Sequence, residues 1–212
     1  MRNGIFGKLP IKRDFIALNL PAAFLTVWEE WLQTSIAVSR QDMGAAWQDR
    51  FLTAPVWRFW LGRNICGLSA IGALMPSVDG VGRYFPFSVC ACHDRGESFA
   101  PPAIAPRHEW FTAVENIMLG GLRAESAEEP AALLAAVAAL AETPVGAAGA
   151  APDDVLSGFF LASLQDTLAE QSWWWSIGGP DYPVRFMRYT GLPDPQRFGD
   201  FLTVPEPAGH AA

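Results

Sequence analysis

Three apolar runs in the first half constrain this fold more than any other feature of the chain. Residues 56–61, 68–75 and 84–92 are almost continuously apolar, and only short polar turns separate them. Short separations of this kind predict an antiparallel meander. Unbroken apolarity, in place of in–out alternation, means that both faces of the sheet are covered, which calls for helices on both sides. The rest of the chain can supply them. Proline at position 21 suits a helix start, and Phe24, Leu25, Trp28, Trp31, Leu32, Ser35 and Ile36 share one broad face of a helix over 22–38. Glu29, Glu30 and Gln33 fall on its other side.

Further helices are expected over 45–53, 106–122, 128–142 and 152–169, the last with Leu156, Phe160, Leu164 and Leu168 in a stripe. A short strand or edge segment over 4–7 and a hairpin over 172–177 and 184–189, turning at 178–181, complete the set. The expected class is α/β, a three-layer α/β/α sandwich around a mixed, largely antiparallel sheet of five or six strands. Residues 1–204 read as one domain, 143–151 as a surface loop and 205–212 as a disordered tail.

Composition narrows the class of function. Half of the 212 residues are hydrophobic and nine are tryptophan, so a large core is available. Most of the tryptophans should be buried with each indole N–H matched to an acceptor. No apolar stretch suits a signal peptide or a membrane span, so a cytosolic location is expected. Residues 1–92 carry a net charge of +3 and residues 93–212 one of −10, within a total of −7. Both lysines of the chain, Lys8 and Lys12, fall in the first dozen residues. An acidic chain is a poor nucleic-acid binder, and the asymmetry predicts a mildly basic surface near the N-terminus.

Catalytic patterns fail on spacing. Gly4-x-x-Gly7-Lys8 has too few residues between its glycines for a phosphate-binding loop, and Leu9-Pro10 follow where Ser or Thr is needed. Gly80-x-Gly82 lacks the third glycine of a dinucleotide fingerprint. There is no Gly-x-Ser-x-Gly elbow, and nothing in the spacing connects His93 or His108 to a serine. Adjacent carboxylates such as Asp153 and Asp154 diverge on a helix. Cys66, Cys90 and Cys92 read as buried reduced thiols. A metal site from Cys90, Cys92 and His93 lacks the usual spacer and the second ligand pair. No cofactor or metal is expected. Trp173-Trp174-Trp175 could stack a ligand, but strand alternation makes all three available to a covered sheet.

One region is less easily explained as core. Lys8, Arg13 and Asp14 cluster in the first loop, and Ser77, Asp79 and Arg83 lie in a polar, glycine-containing loop between two apolar strands. Arg58 stands inside the aromatic run Trp57-Arg58-Phe59-Trp60 and needs a carboxylate or several carbonyls, with Asp14 and Asp79 as the candidate partners. As structure, this is an ion-pair network that fixes two loops. As function, it is a polar patch with aromatic rims, a composition favoured at protein interfaces.

The same residues carry a family resemblance. Gly7-Lys8-Leu9-Pro10, Arg13-Asp14-Phe15, Trp28 to Leu32, Leu52-Thr53-Ala54-Pro55-Val56-Trp57-Arg58-Phe59, and Leu74-Met75-Pro76-Ser77-Val78-Asp79 with Val81-Gly82-Arg83-Tyr84-Phe85-Pro86 resemble, in that order, the opening of the TagF family. Arg13 departs from it, since a glycine usually precedes the aspartate. The resemblance implies a cytosolic, non-enzymatic accessory protein that restrains type VI secretion after translation and works with a forkhead-associated scaffold protein. Two other functions remain open on residues alone: a hydrolase with Ser77 as a loop nucleophile near Asp79 and Arg83, and a longin-like regulatory binding domain.

Overall fold

The computed structural model describes residues 1–93, 97–123, 129–140, 163–164, 166–179 and 182–204. Seven strands form one sheet: β1 (Arg2–Gly7), β2 (Ile16–Leu18), β3 (Trp57–Leu61), β4 (Ala70–Met75), β5 (Phe87–Cys92), β6 (Gln171–Ser176) and β7 (Arg185–Thr190). Their spatial order is β2-β1-β5-β4-β3-β6-β7. Every ladder is antiparallel, so the sheet is not mixed. The expected meander is present as β3-β4-β5, and all three strands are buried along their whole length.

The segment read as a short strand or edge is a strand, β1, and it is internal because it lies between β5 and β2. The edge strand β2 spans only three residues, too few to carry a period in the sequence. Gly7 ends β1 at φ 128°, and a Cβ there would collide with the Pro86 carbonyl oxygen. Only glycine takes that conformation without strain. Gly72 runs through β4 and makes room for the Phe59 ring.

Helices cover both faces. On one side lies α1 (Ala22–Met43), followed by α2 (Trp47–Thr53). Phe24, Trp28, Trp31, Leu32, Ser35 and Ile36 of α1 are buried, as their spacing predicts. Trp28 is the hub of this layer. Its ring centroid lies 5.4 Å from Phe24, 5.1 Å from Trp31, 4.7 Å from Phe59 and 6.0 Å from Trp174. A short C-terminal helix, α5 (Gly199–Leu202), adds Phe201 and Leu202 to the same cluster. On the other side lie α3 (His108–Leu122) and α4 (Glu129–Ala139). Their Phe111, Val114, Met118, Leu133 and Val137 pack with Ile5, Trp60, Ile71 and Val89. The sandwich therefore has three layers.

Strand β6 divides its tryptophans as alternation requires. Trp174 enters the α1-side cluster, whereas Trp173 and Trp175 are partly buried on the α3 side. Six of the nine indoles find an acceptor: Ser88, Pro193, Ser39, Phe201, Phe99 and Ser172 serve Trp28, Trp31, Trp47, Trp57, Trp60 and Trp174. The expectation that every one is matched is not met, since the buried N–H groups of Trp110 and Trp173 have no partner among the described residues. The stripe expected over 152–169 lies mostly outside the described residues, as do the loop 143–151 and the tail 205–212.

Candidate functional site

The β1–β2 loop and the β4–β5 loop meet at one end of the sheet. Asp79 holds them together. Its side chain is fully shielded from solvent, and Oδ2 accepts from Lys8 Nζ at 2.8 Å and from Arg83 Nε at 2.7 Å. Oδ1 accepts from the main-chain N–H of Val81 at 3.1 Å and of Arg83 at 2.8 Å. The carboxylate thereby closes its own loop and anchors it to β1. Burial alone would push its pKa up, but the hydrogen bonds from Lys8 and Arg83 outweigh that and hold it well below the usual carboxylate range.

The loops are joined by main-chain bonds as well. Gly80 N–H donates to the Lys12 carbonyl at 2.8 Å, and Arg83 Nη2 donates to the Arg13 carbonyl. Ser77 is buried, and its hydroxyl donates to the Lys8 carbonyl at 2.7 Å. That proton is committed to the main chain and no base receives it. The hydrolase reading of Ser77 loses its support here. Lys8 Nζ also lies 4.9 Å from the centre of the Phe15 ring, which packs edge-on against Phe85 at 4.8 Å.

Lys8, Ser77, Asp79 and Arg83 are thus brought together, with Arg13 contributing its carbonyl. Three other expected members are not. The Asp14 side chain is exposed and forms no ion pair among the described residues. Trp57 is core on the α1 side, its indole donating to the Phe201 carbonyl at 3.0 Å. Arg58 is the clear correction: its partner is neither Asp14 nor Asp79 but Glu115 of α3. Nε and Nη2 meet Oε1 and Oε2 at 2.6 and 2.9 Å, a bidentate fork. The guanidinium also lies 5.3 Å from the Phe111 ring centre. Successive residues of β3 point to opposite faces, and Arg58 faces α3. The sequence did hold a signal, because Glu115 follows Phe111 by four residues and so shares its sheet-facing side.

Beside the Asp79 knot runs a groove of about 610 Å³, lined by Lys8, Phe15, Ile36, Arg40, Arg83 and Tyr84 among others. An adjoining hollow shares Arg40 and Tyr84 and is backed by Trp47. Arg40 sits 4.2 Å over the Trp47 ring. Sequence reasoning missed Arg40, in the last turn of α1. Cys66, Cys90 and Cys92 are buried free thiols, and burial pushes Cys66 and Cys92 up to about 12. Among the described residues no three His, Cys, Asp or Glu side chains are placed to hold a metal ion. No helix among them is long and apolar enough to cross a membrane.

Residues 4–140 match the model of the TagF N-terminal domain, described as type VI secretion system-associated. The chain belongs to the TagF family. The match extends beyond the two loops and through α4. Among solved structures, PA0076 from Pseudomonas aeruginosa PAO1 is similar at 30% identity with a TM-score of 0.77, over 95% of this chain and 94% of that one. No curated protein matches significantly. As a TagF domain, the chain is associated with type VI secretion, and its α/β architecture is that of PA0076.

Proposed function

We propose that this TagF-family chain is a cytoplasmic, non-enzymatic accessory protein that restrains type VI secretion after translation by binding a forkhead-associated scaffold protein. The match of residues 4–140 to a type VI-associated family carries the reading. The geometry supports a binding role over catalysis. The serine, lysine and aspartate that first suggest chemistry spend their hydrogen bonds on holding two loops together. A rigid pair of loops is what a recognition surface needs, since little order is then lost on binding.

The test has two parts. Purified chain is mixed with the forkhead-associated protein of the same secretion system, and complex formation is measured by calorimetry. In cells, raised levels of the chain are expected to lower secretion without lowering the amounts of the secretion proteins. Absence of a complex rejects the partner. Secretion that falls only because its components fall rejects post-translational control.

A further inference from the structure

We infer that the groove between the C-terminal half of α1 and the β4–β5 loop is the docking surface, and that its occupant is an acidic, apolar-anchored segment of the partner protein. This rests on the proposed function for the identity of the partner but not for the location of the surface. Among the described residues, the lining of the groove and of the adjoining hollow contains no carboxylate, in a chain whose net charge is −7. Asp79 is one carboxylate shared by two cations, Lys8 and Arg83, so the cluster keeps one positive charge in surplus and Arg40 adds a second. Arg83 keeps 58% of its side chain exposed. Arg40 is exposed and has no carboxylate partner among the described residues. Glu29 lies outside the lining, accepting from Gln33 at 2.9 Å.

Apolar surface accompanies the charge. Phe15 is 44% exposed within the groove, and Val81, two residues before Arg83, is 54% exposed. Arginine beside aromatic side chains is the composition enriched at interface centres. A second groove, under Leu119, Ile177 and Val204, is also apolar, but its described lining holds no cation and its one carboxylate, Glu115, is already paired with Arg58. The surface lies beside the buried Asp79, with the ammonium-bearing Lys8 in its lining and Asp79 also holding Arg83. That carboxylate fixes the two loops on which Phe15 and Arg83 are displayed.

The experiment places a photo-reactive phenylalanine derivative at Val81 or, as a control, at Ile177, in bacteria assembling the secretion system, and maps the crosslinked peptides. In parallel, Arg40→Glu and Phe15→Ala are titrated against the captured partner. Crosslinking from position 81 to an acidic segment, with none from 177, is expected. Arg40→Glu should weaken binding by about fivefold or more at low salt, with the loss shrinking as salt rises. Thermal melting of each variant close to that of the parent shows that the fold is kept. Crosslinking from 177 instead of 81, no adduct at 81, or Arg40→Glu binding within about twofold of the parent overturns the groove. A captured partner without a forkhead-associated domain rejects the proposed function and leaves the groove standing.

Discussion

Asp79 makes four hydrogen bonds from a side chain with no solvent contact, and two of its donors are cationic. Its pKa is depressed in the folded chain, so it contributes stability that is present above the unfolded value of about 3.9. That contribution is lost as pH falls through the folded value. Asp79→Asn removes the charge and leaves Lys8 buried and unpaired. The expected cost is about 3 kcal/mol, the low end for a broken buried pair, because Arg83 above it is half in water. Urea midpoints should drop at neutral pH, and the variant should lose less stability than the parent below about pH 4. An equal acid slope in both proteins would remove Asp79 as the source. The thiols are a second case at this scale. Burial pushes Cys66 and Cys92 up to about 12, so both stay protonated where an unfolded thiol ionises. Their contribution is present below the unfolded value of about 8.5 and declines as pH rises towards 12. Native protein at about pH 8 should react slowly with a thiol reagent, and all three cysteines should react at once in denaturant. Fast labelling of the native state would contradict their burial.

Between elements, Arg58 and Glu115 strap β3 to α3 across the sheet face. The pair is bidentate and Arg58 is only 3% exposed. Arg58→Met or Glu115→Leu alone should cost about 3–5 kcal/mol, since each strands one buried charge, whereas the double variant should recover most of that loss. Midpoints that fall with an unchanged denaturant slope would report stability alone. A double variant as unstable as the two losses combined would mean that the fork is not the strap. The need for a polar partner, a carboxylate or several carbonyls, was legible from the sequence, because an arginine among Trp57, Phe59 and Trp60 must be paired. The choice of partner was not. Asp14 and Asp79 are near in sequence to the motif residues, but pairing depends on which face of β3 Arg58 occupies, and that is fixed by the register of β3 on β4. The meander and α1 were readable because burial on both faces and a repeat of three to four residues leave long, redundant patterns. Strand β2 was not, since three residues carry no period, and its position comes from pairing Ile5, Phe6 and Gly7 with Leu18, Ala17 and Ile16. The groove was invisible for a related reason: Phe15, Arg40 and Arg83 come from three separate elements.

At the scale of the molecule, the family match ends at residue 140 but the sheet does not. Strand β6 pairs along β3, placing Trp174 opposite Phe59, and β7 closes that edge. Trp174 then stacks within 6.0 Å of Trp28 and 5.3 Å of Trp31, on the helix furthest from it in sequence. Phe198 and Phe201 seal the same cluster. A fragment of residues 1–140 would lose all three of these aromatics and leave β3 as a bare apolar edge. Each such loss costs about 3–5 kcal/mol, against a total stability of about 5–15 kcal/mol. The sum reaches that total, so the fragment should not fold cooperatively. It is expected to show no sharp thermal transition and weak near-ultraviolet dichroism, and to aggregate through β3. Adding residues 163–204 in trans should restore part of the signal if the missing strands are the cause. A cooperative, monomeric fragment 1–140 would show that helices α1 to α4 and the β2-β1-β5-β4-β3 sheet carry the fold without the C-terminal strands. The groove at Phe15, Arg40 and Arg83 would then be separable from the C-terminal hairpin and could be tested on the shorter chain.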